Sequence, residues 1–242
     1  MSYDTPHRGA WLPLGVQAFA HFVKEHWGSA NPLLSLYSDL VSSPAARQML
    51  RWHLGTGADA TLEVAAGQDQ ERTDFLNALE RVGSWPQIPR LLGVANGTGT
   101  GVGNSIPAGD TAMAADGPEL AGRLYTQGSG SQTVARMEKT GQSPVEIRTT
   151  GFPELDGAPG GLFPKAPLLE DAANFGMAAM LAEIVNKQSA DLAHNTSTFV
   201  PTISAVATAE IDDHAALYGK VDPELSDLHG FLCATTNEGH TS

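Results

Sequence analysis

Apolar side chains recur along this chain with two periods, and the change from one to the other divides it into segments. Leu12, Val16, Phe19 and Val23, with Trp27 beyond them, share one face of a helix while Gln17, His21 and Lys24 fall on the other. The spacing predicts an amphipathic helix over residues 12–27. His21 and His26 then stand at the surface, and their five-residue separation turns them too far apart to share a metal ion. Ser43-Pro44 is a helix start, because the serine can cap and the proline occupies a position whose N–H would go unused. Ala46, Met49, Leu50 and His53 continue one face from it. A third helix is predicted near 70–82, burying Phe75, Leu76, Leu79 and Val82 and stopping at Gly83.

Arg90 to Ala95 is a short apolar run between prolines and a glycine-rich loop, which are the length and boundaries of a buried parallel strand. The order helix, strand, loop is that of an α/β fold. Between 120 and 150 the period shortens: Leu120 to Thr126, Thr133 to Lys139 and Pro144 to Thr150 are β-rich and separated by Gly/Ser turns, as in an antiparallel insertion. Residues 169–188 return to helical spacing through Ala173, Met177, Met180, Leu181, Ile184 and Val185. Phe199, Pro201, Ile203 and Ala205 alternate, but the proline confines that strand to an edge. Gly230 to Thr235 reads as a last strand, and we take residues 1–242 as one domain.

Composition narrows the partners. With 14 Lys+Arg against 27 Asp+Glu, the net charge of −13 repels nucleic-acid phosphates and anionic lipid headgroups. No apolar run is long enough to span a bilayer, and the first residues lack the basic start and apolar stretch of a signal peptide, so a soluble chain is expected. The single cysteine, Cys233, excludes an internal disulfide framework and reads as a small apolar residue inside a strand.

Several short motifs follow one another in order: Asp4-Thr5-Pro6-His7-Arg8-Gly9-Ala10, Ser43-Pro44-Ala45-Ala46-Arg47, Val94-Ala95-Asn96-Gly97-Thr98-Gly99, Ala158-Pro159-Gly160-Gly161, Phe199-Val200-Pro201-Thr202 and Asn237-Glu238-Gly239-His240. Together they resemble the C-terminal part of bacterial lipase/esterase-like α/β-hydrolases. The resemblance implies a partial α/β-hydrolase-like sheet carrying the 120–150 segment as a β-rich insertion. It also implies that the early strands and the nucleophile lie upstream of Met1, since no Gly-x-Ser-x-Gly elbow occurs and Gly128-Ser129-Gly130-Ser131 misses that spacing. An exposed sheet edge or apolar patch, favouring self-association, should follow.

The same resemblance implies hydrolysis of a small carboxylic ester or lactone, with His240 as general base after the last strand. Its acid partner is sought in the loop after Ala95, at Asp110 or Asp116, with Asp156, Asp212 and Asp213 as rivals. His7 is expected to orient a loop by hydrogen bonding, and Asn96 and Gly97 to begin a flexible loop at the mouth of a substrate site. That loop lacks the Lys-Ser/Thr of a phosphate-binding motif. Two other readings compete. A metal-dependent lactone hydrolase would draw on Asp212 and Asp213 beside His214, with calcium the ion that such oxygen donors suit. Alternatively the scaffold persists as a remnant or binding domain without turnover. The triad reading itself requires no cofactor.

Overall fold

The computed structural model describes residues 1–30, 32–55, 61–67, 69–164, 194 and 196–239. The helix expected over 169–188, and His240, lie outside the described residues. The chain is mixed α/β, with helices α1 (Leu14–Trp27), α2 (Leu36–Val41), α3 (Pro44–Met49), α4 (Gln70–Arg81), α5 (Thr202–Ala205) and α6 (His214–Leu217). Its strands are β1 (Ser2–Tyr3), β2 (Leu62–Ala65), β3 (Leu92–Thr98), β4 (Thr111–Asp116), β5 (Leu120–Tyr125), β6 (Gly130–Lys139), β7 (Val145–Phe152), β8 (Gly160–Pro164), β9 (Thr196–Pro201) and β10 (Gly230–Ala234). Among the described residues they form a three-stranded sheet β1-β3-β10, a five-stranded sheet β2-β7-β6-β5-β4 and a two-stranded β8-β9 ribbon.

The 120–150 region is no appendage. Its strands β5, β6 and β7 pair antiparallel, with β4 and a parallel β2 completing the sheet. Leu120, Leu124, Val134, Met137, Val145, Ile147 and Phe152 on this sheet belong to the main buried cluster, joined there by Ala18 and Phe22 of α1. The expected insertion is therefore a wall of the core, with its apolar face packed on α1.

Helix α1 matches the sequence period, but its polar side is not a solvent face. Gln17 is fully buried, accepting from the Leu54 amide at 2.8 Å and donating to the Leu12 and Trp52 carbonyls. His21 is buried too, with its ring nitrogens on Ser38 Oγ at 2.8 Å and the Leu54 carbonyl at 3.2 Å. The surface position expected for His21 is thus corrected: α2 and the stretch around Leu54 cover this side and supply its hydrogen bonds. Burial holds the His21 imidazole below its ordinary pKa, and does the same at His53, whose Nε2 meets the Val41 carbonyl at 2.8 Å.

Ser43 caps α3 as expected, accepting from the Ala46 amide at 3.2 Å. Helix α4 starts on Asp69, which accepts from the Glu71 amide, and is followed by Gly83 with φ +93°. Its apolar stripe, however, is only partly covered, with Leu76 and Leu79 half-buried and Phe75 38% and Val82 78% exposed. What fastens α4 is Arg72, which is buried and donates to the Gln48 carbonyl at 2.7 Å at the end of α3. A guanidinium that satisfies helix-terminal carbonyls wins here over a four-residue apolar stripe.

In the parallel sheet, β3 runs between β1 and β10 with Tyr3, Val94 and Leu232 in one row. One face packs on α5 and Leu228, the nearest neighbours of Gly93. The other leaves Tyr3 52%, Leu92 38% and Leu232 71% exposed. Parallel sheets are ordinarily covered on both faces, so these exposed side chains form an apolar patch on this one. No helix among the described residues is long and apolar enough to cross a membrane.

Two outcomes follow. His21 and His53 have folded pKa values depressed below the unfolded value near 6.5. Below that pH the unfolded chain binds more protons, so the stability they contribute is full above it and is lost as the pH falls through their folded values. Denaturation midpoints should decline on acidification, and His21→Gln should flatten the decline; identical profiles would remove His21 from it. Leu232→Asp should reduce self-association and apolar-dye binding while changing stability by less than about 0.5 kcal/mol, as sedimentation and thermal melts can check.

Candidate functional site

In open sheets of parallel strands, ligands bind beyond the carboxyl ends, where the connecting loops diverge. Here those ends bring together Asp4 after β1, Asn96 to Thr98 on β3, and Asn237 to Gly239 after β10. Asp4 is only 1% exposed and holds a left-handed backbone, φ +43°, unusual for a residue other than glycine. Its amide donates to the Val94 carbonyl at 2.6 Å, which continues the β1–β3 pairing one residue past the strand. That turn aims the carboxylate inward, where Oδ1 accepts from the Asn96 amide at 3.0 Å. Left-handed strain at a buried acidic residue is a common mark of a functional position.

The segment after β10 is stitched across this end. Asn237 Oδ1 accepts from the Thr98 amide at 3.0 Å and the Gly160 amide at 3.2 Å, while its Nδ2 donates to the Val102 carbonyl. The Glu238 amide donates to the Asn96 carbonyl and the Leu162 amide to the Glu238 carbonyl, each at 2.8 Å. Asn96 Nδ2 donates to the Gly239 carbonyl at 2.9 Å. Asp4 and Gly239 are therefore both held by Asn96, one through its backbone and the other through its side chain.

Glycines make this density feasible. A Cβ at Gly161 would run into the Asp4 carboxylate, and one at Gly97 into Thr202 Oγ1 and the Gly160 backbone. Gly97 thus serves close backbone approach within β3, where the sequence suggested the start of a flexible loop. The site opens onto the uncovered sheet face through a depression of about 460 Å³ lined by Tyr3, Val94, Asn96, Leu232, Glu238 and Gly239.

The other candidates sit elsewhere. Asp110 precedes β4 and Asp116 ends it, so some 20 Å of strand separates them at ~3.3 Å per residue. Asp110 Oδ2 meets His194 Nε2 at 3.0 Å, a contact that holds its carboxyl below the usual range. Asp116 forms a paired contact with Arg123 at 3.0 and 3.1 Å. Asp156 is buried, with Oδ1 accepting from the Trp11 indole N–H at 2.6 Å and Oδ2 from the Gln127 amide at 3.2 Å. Asp212 pairs with Arg51 at 2.6 Å, and Asp213 caps α6 by accepting from the Ala215 and Ala216 amides. Both carboxylates proposed for a metal thus have other duties, and among the described residues no three His, Cys, Asp or Glu side chains gather as a ligand set.

His7 anchors the loop after β1, with Nε2 3.1 Å from Ser2 Oγ and its ring 5.0 Å from that of Trp85. Burial, followed by the Arg8 charge, lowers its pKa. Sequence reasoning quoted Asp4 and Asn237 within motifs but gave neither a role, since their contacts span 92 and 139 residues. A lone aspartate straight after a two-residue strand is the only local cue to the first.

No protein-family model, curated protein or solved structure matches this chain.

Asn237→Ala should lower stability by about 1–3 kcal/mol, because it strands two backbone N–H groups at a partly buried junction. Hydrogen exchange should accelerate at Thr98 and Gly160; unchanged protection there would show that the side chain does not hold the strap.

Proposed function

We propose that the chain carries the acid and base of a hydrolase acting on carboxylic esters or lactones, with Asp4 as the carboxylate and His240 as the base. The observation that carries this reading is the buried, left-handed Asp4 standing beside the Asn237–Gly239 strap, which runs directly into residue 240. In the sequence His240 directly follows Gly239, whose carbonyl accepts from the Asn96 side chain. Asp110 and Asp116, the acids first sought, are engaged by His194 and Arg123 at opposite ends of β4, and Asp4 replaces them here.

In this mechanism His240 takes a proton from a water molecule as its oxygen bonds to the acyl carbon. Collapse of the tetrahedral species breaks the bond to the alcohol oxygen, and the imidazolium returns the proton to that leaving alkoxide. Asp4 holds the imidazole in one tautomer and stabilises its charged form, which a neutral amide cannot do. The depression above the parallel sheet gives an ester access from the Asn96 and Gly239 side. A serine nucleophile, if one joins the site, would replace water in the first step with the same acid and base.

Asp4→Asn and His240→Ala should each reduce turnover of short esters and lactones by about a thousandfold or more with little change in KM. A chelator should leave the wild-type rate intact, whereas loss of rate with restoration by calcium would favour the metal-dependent reading. A wild-type protein that melts cooperatively yet turns over none of these substrates would favour the non-catalytic scaffold instead.

A further inference from the structure

Helix α1 is apolar on two sides. One side, with Ala18 and Phe22, joins the core on the five-stranded sheet. The other carries Val16, Ala20 and Val23 into a pocket of about 240 Å³, closed further by Tyr37 and Leu40 of α2 and by Phe163 of β8. None of the described side chains lining it is charged. Interiors are ordinarily packed with few voids larger than a water molecule, so an apolar pocket of this size on an otherwise filled helix face calls for an occupant. A dry apolar cavity of about 150 Å³ accommodates benzene, and by proportion this one holds roughly eight to ten carbons.

Its position relates it to the site. Phe163 follows Gly161 by two residues, about 6.6 Å along a strand, and Gly161 is the glycine packed against the Asp4 carboxylate. Leu12, at the other end of the same lining, follows the Asp4 to Ala10 turn. Along β8 the pocket's Phe163 is thus two residues from the glycine at the carboxylate, across the register shift between Gly161 and Leu162. A linear hydrocarbon with its carbonyl near Asp4 could extend between α1 and α2. The described lining offers no charge to a carboxylate inside the pocket, and the net charge of −13 disfavours anionic ligands in general.

Building on the hydrolase reading above, we propose that this pocket binds the acyl chain of a neutral medium-chain ester, of roughly eight to ten carbons. The test is displacement of a neutral fluorescent reporter, N-phenyl-1-naphthylamine, from the full chain by methyl decanoate, decanoic acid and methyl acetate. Wild type should bind the reporter saturably and release it to methyl decanoate at far lower concentration than to methyl acetate. Ala20→Trp, which fills the pocket, should weaken binding at least tenfold, and Val16→Phe gives the same reading if the tryptophan variant does not fold. Val82→Asp should leave binding unchanged, since Val82 is exposed at the end of α4 and lines neither the pocket nor the depression. Absence of saturable binding, wild-type binding in both filling variants, or loss of binding in Val82→Asp would overturn the proposal. Decanoic acid displacing the reporter better than its methyl ester would overturn the assignment to an ester. Displacement without turnover sinks only the hydrolase reading, and turnover of short esters without displacement sinks only this one.

Discussion

The structure turns on one buried carboxylate. Asp156 brings a carboxyl group into the interior, where it is 1% exposed, a costly step unless hydrogen bonds replace the lost water. Its two oxygens take the Trp11 indole N–H and the Gln127 amide, while its own carbonyl accepts from the Thr198 amide at 3.0 Å and the Asn104 side chain at 2.9 Å. Those partners come from the segment ahead of α1, the β5–β6 turn, β9 and the loop after β3. One residue thereby ties the two larger sheets to the ribbon. Around it Trp11, Trp52 and Phe152 meet at centroid distances of 5.2 to 6.3 Å, so the polar knot is sealed by aromatic packing.

That knot leaves the parallel sheet free to act as a platform. β1, β3 and β10 are short, yet their carboxyl ends are fixed by side chains and not only by the ladder: Asp4 holds β3 through Asn96, and Asn237 bridges β3 to the ribbon. The Asn237–Gly239 strap works as a second ladder laid across the first. Asn237, Glu238 and Gly239 are each hydrogen-bonded to β3 or its flanks, which makes the geometry stiff where a reacting group would need to be held.

Elements whose order comes from local period were legible in the sequence. Helix α1, the Ser43 cap, the bounds of α4, β3 and β10 all follow from spacing and capping within a few residues. Strands β2 and β4 were not, because Leu-Glu-Val-Ala and Thr-Ala-Met-Ala-Ala-Asp lack the β-branched alternation that marks a strand and form by pairing with β7 and β5. The burial of Gln17, His21 and Arg72 depends on partners at Leu54, Ser38 and Gln48, whose approach no local pattern records. The motifs around Asp4, Asn96 and Asn237 were visible as words. Their meaning lay in contacts between them, and one sequence does not display those.

The site draws on nearly the whole length of the chain. Asp4 meets Asn96 across 92 residues, and Asn96 meets Gly239 across 143. Contacts this distant close late, since loop entropy must be overcome before any of them rewards the chain. The strands of the five-stranded sheet all precede Asn237 in the chain, so that sheet can pair before the segment that completes the site exists. The carboxyl end of the parallel sheet is then completed only after its scaffold, so any chemistry resident there depends on a wall of the core built earlier.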